Sequence, residues 1–174
     1  MINAKLAKKI NHQLNREFFS AYFYLSLSTA AEDKGFKGAA AWFMAKYKEE
    51  TDHALKMQRY LLDHNMPVEL AAIADPSGSY KNLLNMFEIT LQHEQAVTES
   101  IHDLVGTALE EKDHATFIFL QWFVTEQTEE EATVNDIISQ LKLVGERGEG
   151  LFMIDKELAT LAATLHQPEP ASVN

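Results

Sequence analysis

Four long runs of apolar residues at helical spacing constrain the fold of this chain more than any other feature. The first run ends near Lys34-Gly35, and the second ends at Asn65-Met66-Pro67, where proline cannot continue a helix. A third and a fourth run follow and are joined near Lys112-Asp113. Because only a few residues separate the two runs of each pair, the sequence predicts two helical hairpins.

Two further segments complete the predicted architecture. Residues 66–80 contain Pro67, Pro76 and Gly78 and are long enough to run the length of a helical bundle as a crossover. After a glycine-rich break at 145–150, apolar residues over 151–165 predict a short amphipathic fifth helix. We therefore expect one all-α domain over residues 1–166, in which a long crossover joins the two hairpins of a four-helix bundle, and a flexible tail at 167–174.

Composition narrows the possible partners. The chain has 174 residues and no cysteine, so any metal must be bound by oxygen and imidazole. A net charge of −11 argues against nucleic acid, because phosphate contacts require clustered Lys and Arg, although an acidic surface can also serve solubility alone. No apolar stretch resembles a signal peptide or reaches the ~18 residues that a membrane span requires. We expect a soluble, cytoplasmic protein without a membrane partner.

Four glutamates interrupt the apolar stripes, one on each long helix: Glu17, Glu50, Glu94 and Glu130. An ionised carboxylate in a dry core is costly unless a cation or a donor compensates it, and two divalent ions would balance four such charges. His53 follows Glu50 by three residues, so it lies on nearly the same helix face and adds an imidazole ligand. For any single glutamate, the alternative is a solvent-exposed helix edge.

The candidate ligands obey an internal repeat. The interval from Glu17 to Glu50 equals the interval from Glu94 to Gln127, and one constant offset relates the pair Glu50/His53 to the pair Gln127/Glu130. The two hairpins therefore present polar groups at matching heights, as a dinuclear site with one metal per half requires. The second hairpin carries Gln and Glu where the first carries Glu and His, so the two half-sites are unequal.

Further acidic residues lie beside these ligands. The same offset relates Glu49 to Glu126, and Glu126 shares a helix face with Glu129. This pattern predicts a third, oxygen-rich metal position next to Glu130, and the alternative is an ordinary solvated helix face.

One tyrosine shares the helix face of the first candidate ligand. Tyr24 lies two helical turns from Glu17, where its phenol could hydrogen-bond a ligand, give up an electron or simply fill the core. The remaining histidines have no partner at ligand spacing, and His93 points about 100° away from its neighbour Glu94 around the helix. We leave these histidines unassigned.

This pattern resembles the bacterial non-haem ferritins over essentially the whole chain. Five segments carry the resemblance: Lys48-Glu49-Glu50-Thr51-Asp52-His53, His93-Glu94-Gln95, Phe119-Leu120-Gln121-Trp122, Glu126-Gln127-Thr128-Glu129-Glu130-Glu131 and Gly148-Glu149-Gly150-Leu151. The resemblance implies a ferritin-like bundle with a di-iron centre. It also implies iron storage and ferroxidase activity, in which Fe(II) is oxidised by O2 or hydrogen peroxide and ferric oxyhydroxide is deposited inside a hollow 24-subunit homo-oligomer.

The resemblance also implies a role for each candidate residue. The first iron would be bound by Glu17, Glu50 and His53, and the second by Glu50, Glu94 and Glu130, with Gln127 nearby and Glu50 bridging the two ions. A third site would be formed by Glu49, Glu126, Glu129 and Glu130, and Tyr24 would lie beside the di-iron centre. No haem is expected, because Thr51 stands where a haem-binding relative would carry a methionine ligand.

Two other functions remain open at this point. A passive helical bundle that oligomerises through its apolar fifth helix would need no buried carboxylates. A di-iron oxygenase acting on an organic substrate would need an apolar pocket beside the metals and an electron-transfer partner.

Overall fold

A computed structural model of the protein describes residues 2–145 and 148–165. Across those residues it contains five α-helices, namely α1 (Ala4–Asp33), α2 (Lys37–Asp63), α3 (Leu83–Glu110), α4 (His114–Val144) and α5 (Glu149–Thr164). The predicted all-α class and the two hairpins with a fifth helix are confirmed. The predicted tail at 167–174 lies outside the described residues.

The helix ends follow from local chemistry. The N-cap residues that precede helices α1, α3 and α4 are Asn3, Asn82 and Asp113, and each of these side chains accepts a hydrogen bond from a backbone N–H three residues later. Helices α1 and α4 end close to Gly35 (φ +86°) and Gly145 (φ +75°), which take the left-handed conformation that glycine adopts without steric cost. The breaks expected from the sequence therefore have a backbone cause.

The crossover between α2 and α3 is irregular, and asparagines on α1 bind its first part. The side chain of Asn11 both donates to the backbone oxygen of Glu69 (3.0 Å) and accepts from its N–H (2.9 Å). One turn later, Asn15 donates to the same oxygen (2.9 Å) and accepts from the N–H of Ala71 (2.7 Å). These contacts satisfy backbone groups that no helix or strand pairs.

Two apolar clusters fill the bundle on either side of a band of buried polar side chains. One cluster contains the first turns of α1 and the last turns of α2, and the other contains the end of α1, the start of α2 and the buried face of α5. The band between them, here called the polar layer, comprises Gln13, Glu17, Ser20, Lys46, Glu50, His53, Thr90, Glu94, Gln127 and Glu130. The four long helices thus converge on one polar layer inside an otherwise dry core.

Helix α5 packs on α2 through Ile154, Leu158 and Ala162. It also supplies the cap that α2 lacks, because the carboxylate of Asp155 accepts from the N–H of Gly38 (3.1 Å) and of Ala39 (2.9 Å). Within the described residues, none of the helices has the length and apolar character that crossing a membrane requires.

Candidate metal centre

The four predicted glutamates lie in the polar layer, one from each long helix. Glu17, Glu50, Glu94 and Glu130 are between 1% and 6% exposed. Their apolar neighbours on each helix stripe bury them, because any rotation that exposed the carboxylate would also expose the stripe. The role of these residues as metal ligands stays a prediction.

One group of candidate ligands joins α1 and α2. Ligand atoms of Glu17, Glu50 and His53 all lie within 4.8 Å of one another. Gln13 donates to Glu17 Oε1 (2.8 Å), whereas Glu17 Oε2 is buried and has no hydrogen-bond partner among the described residues. An unpaired buried carboxylate oxygen is costly, so this atom is suited to binding a cation.

Hydrogen bonds occupy both oxygens of Glu94 on α3. The phenol of Tyr24 donates to Oε1, and the amide of Gln127 donates to Oε2 (3.1 Å). Gln127 also donates to Thr98 Oγ1 (3.3 Å). Tyr24 and Gln127, both singled out from the sequence, therefore position Glu94 in this structure.

A buried lysine that sequence reasoning did not single out enters the same layer. Lys46 is 2% exposed, and its Nζ pairs with Glu130 and with Glu49 Oε2 (2.6 Å). The sequence did indicate that Lys46 points inward, because it lies one turn from Phe43 and from Glu50 on the buried face of α2. A long basic side chain more often extends to solvent, so the spacing alone did not reveal this contact.

The residues predicted for a third metal position line a cleft at the edge of the polar layer. Ligand atoms of Glu49, His53 and Glu126 lie within 4.8 Å of one another, so His53 is near both groups of carboxylates. The cleft, here called the acidic cleft, is lined by Trp42, Lys46, Glu49, Glu126, Glu129 and Glu130. Glu126 is half-buried and Glu129 is exposed.

Burial controls the charge of these glutamates. It raises the pKa of Glu17 and of Glu94 to about 8, with a further contribution from the charge of Glu50. Burial also raises the pKa of Glu130 to about 7, although Lys46 opposes this shift. Without a metal, protons therefore neutralise part of the polar layer at neutral pH.

The pKa shifts of Glu50 and His53, unlike those of the other buried glutamates, favour the charged form of each side chain. Burial disfavours the charged form of Glu50, but the neighbouring His53 and Lys46 outweigh it and lower the pKa of this carboxyl. Burial likewise disfavours the imidazolium, yet Glu50 and Glu17 raise the pKa of His53 to about 9. Because a metal-binding imidazole must be neutral, a cation at this point would displace a proton.

Aromatic rings enclose the centre. The ring of His53 stands edge-on to Trp122 at 5.2 Å and to Phe123 at 6.0 Å between centroids. His93, unassigned from the sequence, shares a hydrogen bond of 2.8 Å with Ser20 Oγ, and its ring lies tilted by 35° against that of Phe23, with 4.5 Å between centroids. His93 thus borders the polar layer, and its charge is among the smaller causes that lower the pKa of Glu50.

Comparisons with known proteins agree with the observed fold. A family model described as a ferritin-like domain matches residues 7–144. The bacterial non-heme ferritin of Campylobacter jejuni is 41% identical over 162 residues, 93% of this chain and 97% of that protein. That of Escherichia coli O157:H7 is 38% identical over 161 residues, 92% and 98% of the two chains.

Solved structures give the same result. An open pore ferritin from the hyperthermophilic archaeon Archaeoglobus fulgidus superposes with a TM-score of 0.90 at 41% identity, covering 91% of this chain and 98% of that one. The fold, the family match and the curated relatives together show that this chain belongs to the ferritin family.

Proposed function

We propose that this protein stores iron and oxidises Fe(II) at a centre that binds two iron ions within each subunit. The observation that carries the proposal is the convergence of four buried carboxylates, one per helix, with ligand atoms of Glu17, Glu50 and His53 within 4.8 Å of one another. Side-chain donors contact Glu94 and Glu130, but Glu17 Oε2 is buried and accepts no hydrogen bond among the described residues, so a bound cation would supply the missing partner.

The two positions would share one bridging ligand. Glu17, Glu50 and His53 would bind the first Fe(II), and Glu50, Glu94 and Glu130 the second. Two Fe(II) ions release two electrons, which reduce O2 together with two protons to hydrogen peroxide, or reduce hydrogen peroxide together with two protons to two water molecules. Anionic oxygen ligands favour the higher charge of Fe(III), so the carboxylates make this oxidation easier.

Residues around the ligands would fix their orientation. Gln13 holds one oxygen of Glu17, and Tyr24 and Gln127 hold both oxygens of Glu94. Tyr24, whose phenol donates to Glu94, is proposed as a catalytic residue that lends an electron during the reaction and regains it from Fe(II), so that the two Fe(II) ions remain the net source of both electrons. No haem is part of the proposal.

Storage requires a compartment, and we propose a cytoplasmic shell of 24 identical subunits that encloses ferric oxyhydroxide. Several large apolar side chains are exposed on the single chain, including Ile118 (70%), Leu143 (87%), Phe152 (59%) and Met153 (63%). Contacts between subunits would cover such surfaces.

The test is aerobic oxidation of Fe(II) by the metal-free protein, followed through the absorbance of ferric species. In Glu17→Gln and Glu94→Gln the amide resembles the protonated acid that burial favours, so both variants should fold. We expect the initial rate to fall by about tenfold or more, equivalent to ~1.4 kcal/mol of lost stabilisation.

Glu99→Gln is the matched control, because Glu99 is exposed on the same helix as Glu94. Its initial rate should equal that of the parent. Equal, slow oxidation by the parent, both ligand variants and the control would refute the ferroxidase assignment.

A further inference from the structure

Lys46 places a positive charge inside the acidic cleft. Its side chain is 2% exposed, and its Nζ contacts Glu49 on its own helix (2.6 Å) and Glu130 on α4. A lysine at a surface would pair weakly and exchange with water, whereas Lys46 is almost fully buried and lines the acidic cleft.

The position of this ammonium coincides with that of the predicted third metal. A cation in the acidic cleft would use oxygens of Glu49 and Glu130 in addition to those of Glu126 and Glu129, and Lys46 already pairs with one oxygen of Glu49 and one oxygen of Glu130. A further metal ion beside Lys46 is therefore disfavoured, because repulsion between two cations at close range opposes the attraction that each carboxylate provides.

We propose that Lys46 is an internal counter-ion that takes the place of a third metal ion and restricts each subunit to two. The inference rests on the proposed function, since it concerns the number of ions at the same centre. Glu130 is then shared between the lysine and the second metal, and this competition weakens the hold of the protein on the second ion. The third position predicted from the sequence is closed by this side chain.

The experiment counts tightly bound Zn(II), which binds oxygen and imidazole ligands without redox chemistry. Metal-free parent protein and variants are titrated by calorimetry, and metal content is measured after dialysis. We expect two ions per chain in the parent and three in Lys46→Gln, which removes the charge. Lys46→Arg, which retains the charge, should bind two.

Lys37→Gln is the matched control, because Lys37 lies on the same helix with 82% of its side chain exposed. This variant should bind two ions, and that result would show that removing a positive charge elsewhere on α2 does not create a metal site. If Lys46→Gln binds the same number of ions as the parent, Lys46 serves only to neutralise buried carboxylates and the inference is overturned.

A second measurement needs no variant. In crystals of the parent protein soaked with Zn(II), anomalous scattering should show ions near Glu17 and Glu94 and none between Glu49, Glu126 and Glu129. A peak at this last position overturns the inference while leaving the proposed function intact. Parent protein that neither binds Zn(II) nor oxidises Fe(II) overturns both.

Discussion

Gly38, in the first turn of α2, is the residue where one added methyl group should do the most damage. A Cβ at this position would stand 1.6 Å from the backbone oxygen of Asp155 and 2.6 Å from its carbonyl carbon. Carbon and oxygen atoms that are not bonded keep ~3.3 Å or more, so α5 would have to retreat by about 1.7 Å. Because the obstacle is backbone, rotation of a side chain cannot relieve the clash.

Gly38→Ala should therefore weaken the contact between α5 and α2 in two ways. Overpacking costs about 2 kcal/mol, and loss of the hydrogen bonds from Gly38 and Ala39 to Asp155 costs about 1 kcal/mol more. A total of about 3 kcal/mol lowers the midpoint of thermal unfolding by about 6–12 °C for a chain of this length.

The assay is thermal unfolding followed by circular dichroism, together with limited chymotrypsin digestion at Phe152 to report whether α5 stays docked. Gly106→Ala is the matched control, because a Cβ at Gly106 meets no atom within 4 Å and this glycine lies inside α3. The control should gain about 0.5–1 kcal/mol of helix stability. Asp155→Ala, which removes the cap without a clash, should lose only about 1 kcal/mol.

Unchanged thermal stability and a protease-resistant α5 in Gly38→Ala would refute the close approach of the two backbones. Fe(II) oxidation should be retained in this variant, because the proposed ligands lie on α1 to α4. If Gly38→Ala lost Fe(II) oxidation while α5 stayed docked, the substitution would be affecting the proposed iron centre by some means other than the contact between Gly38 and Asp155.

Three further predictions concern the centre itself. Tyr24→Phe removes the phenol that donates to buried Glu94. We expect slower Fe(II) oxidation in stopped-flow absorbance and a loss of about 1–3 kcal/mol in the free energy of unfolding. An unchanged oxidation rate would mean that Tyr24 contributes only to packing of the core. Gln127→Glu replaces the amide that donates to Glu94 with a second carboxylate, so it should destabilise the metal-free protein. Addition of Zn(II) should raise the unfolding temperature of this variant by more than it raises that of the parent. A smaller rise than in the parent would contradict this prediction. Because burial raises the pKa of Glu17 and Glu94 to about 8, their protonated forms stabilise the metal-free fold at low pH, and this contribution falls as the pH rises through about 4.5 to 8. Zn(II) affinity, measured by calorimetry, should rise over the same interval because the metal displaces these protons; an affinity independent of pH would exclude the proton exchange.

Helix positions and inward faces were predictable because they depend on local sequence. The apolar period decides which side of a helix is buried, so Glu17, Glu50, Glu94 and Glu130 could be assigned to the core before any distance was known. The breaks at Gly35 and at 64–82 follow from glycine and proline, whose backbone preferences act within a few residues.

Contacts between helices were harder to predict from the sequence, because the spacing of residues along one helix does not show which residues of a neighbouring helix lie at the same level of the bundle. The hydrogen bond from Tyr24 to Glu94 joins α1 to α3, and the approach of His53 to both Glu17 and Glu126 joins three helices. Lys46 shows the same limit. Its position on the inward face was visible in the sequence, but the direction of its long side chain depends on Glu130, which is distant along the chain.

The hydrogen bonds of the polar layer give a physical reason why the two proposed iron positions should differ in affinity. At the first position Glu17 Oε2 already lacks a partner among the described residues, so a cation there has mainly to displace protons from Glu17 and His53. At the second position both oxygens of Glu94 accept hydrogen bonds and Glu130 is paired with Lys46. A second ion must therefore displace the proton of Glu94, whose pKa burial raises to about 8, and must also compete with a phenol, an amide and an ammonium. By this reasoning the protein would hold the second ion less tightly and release it more readily.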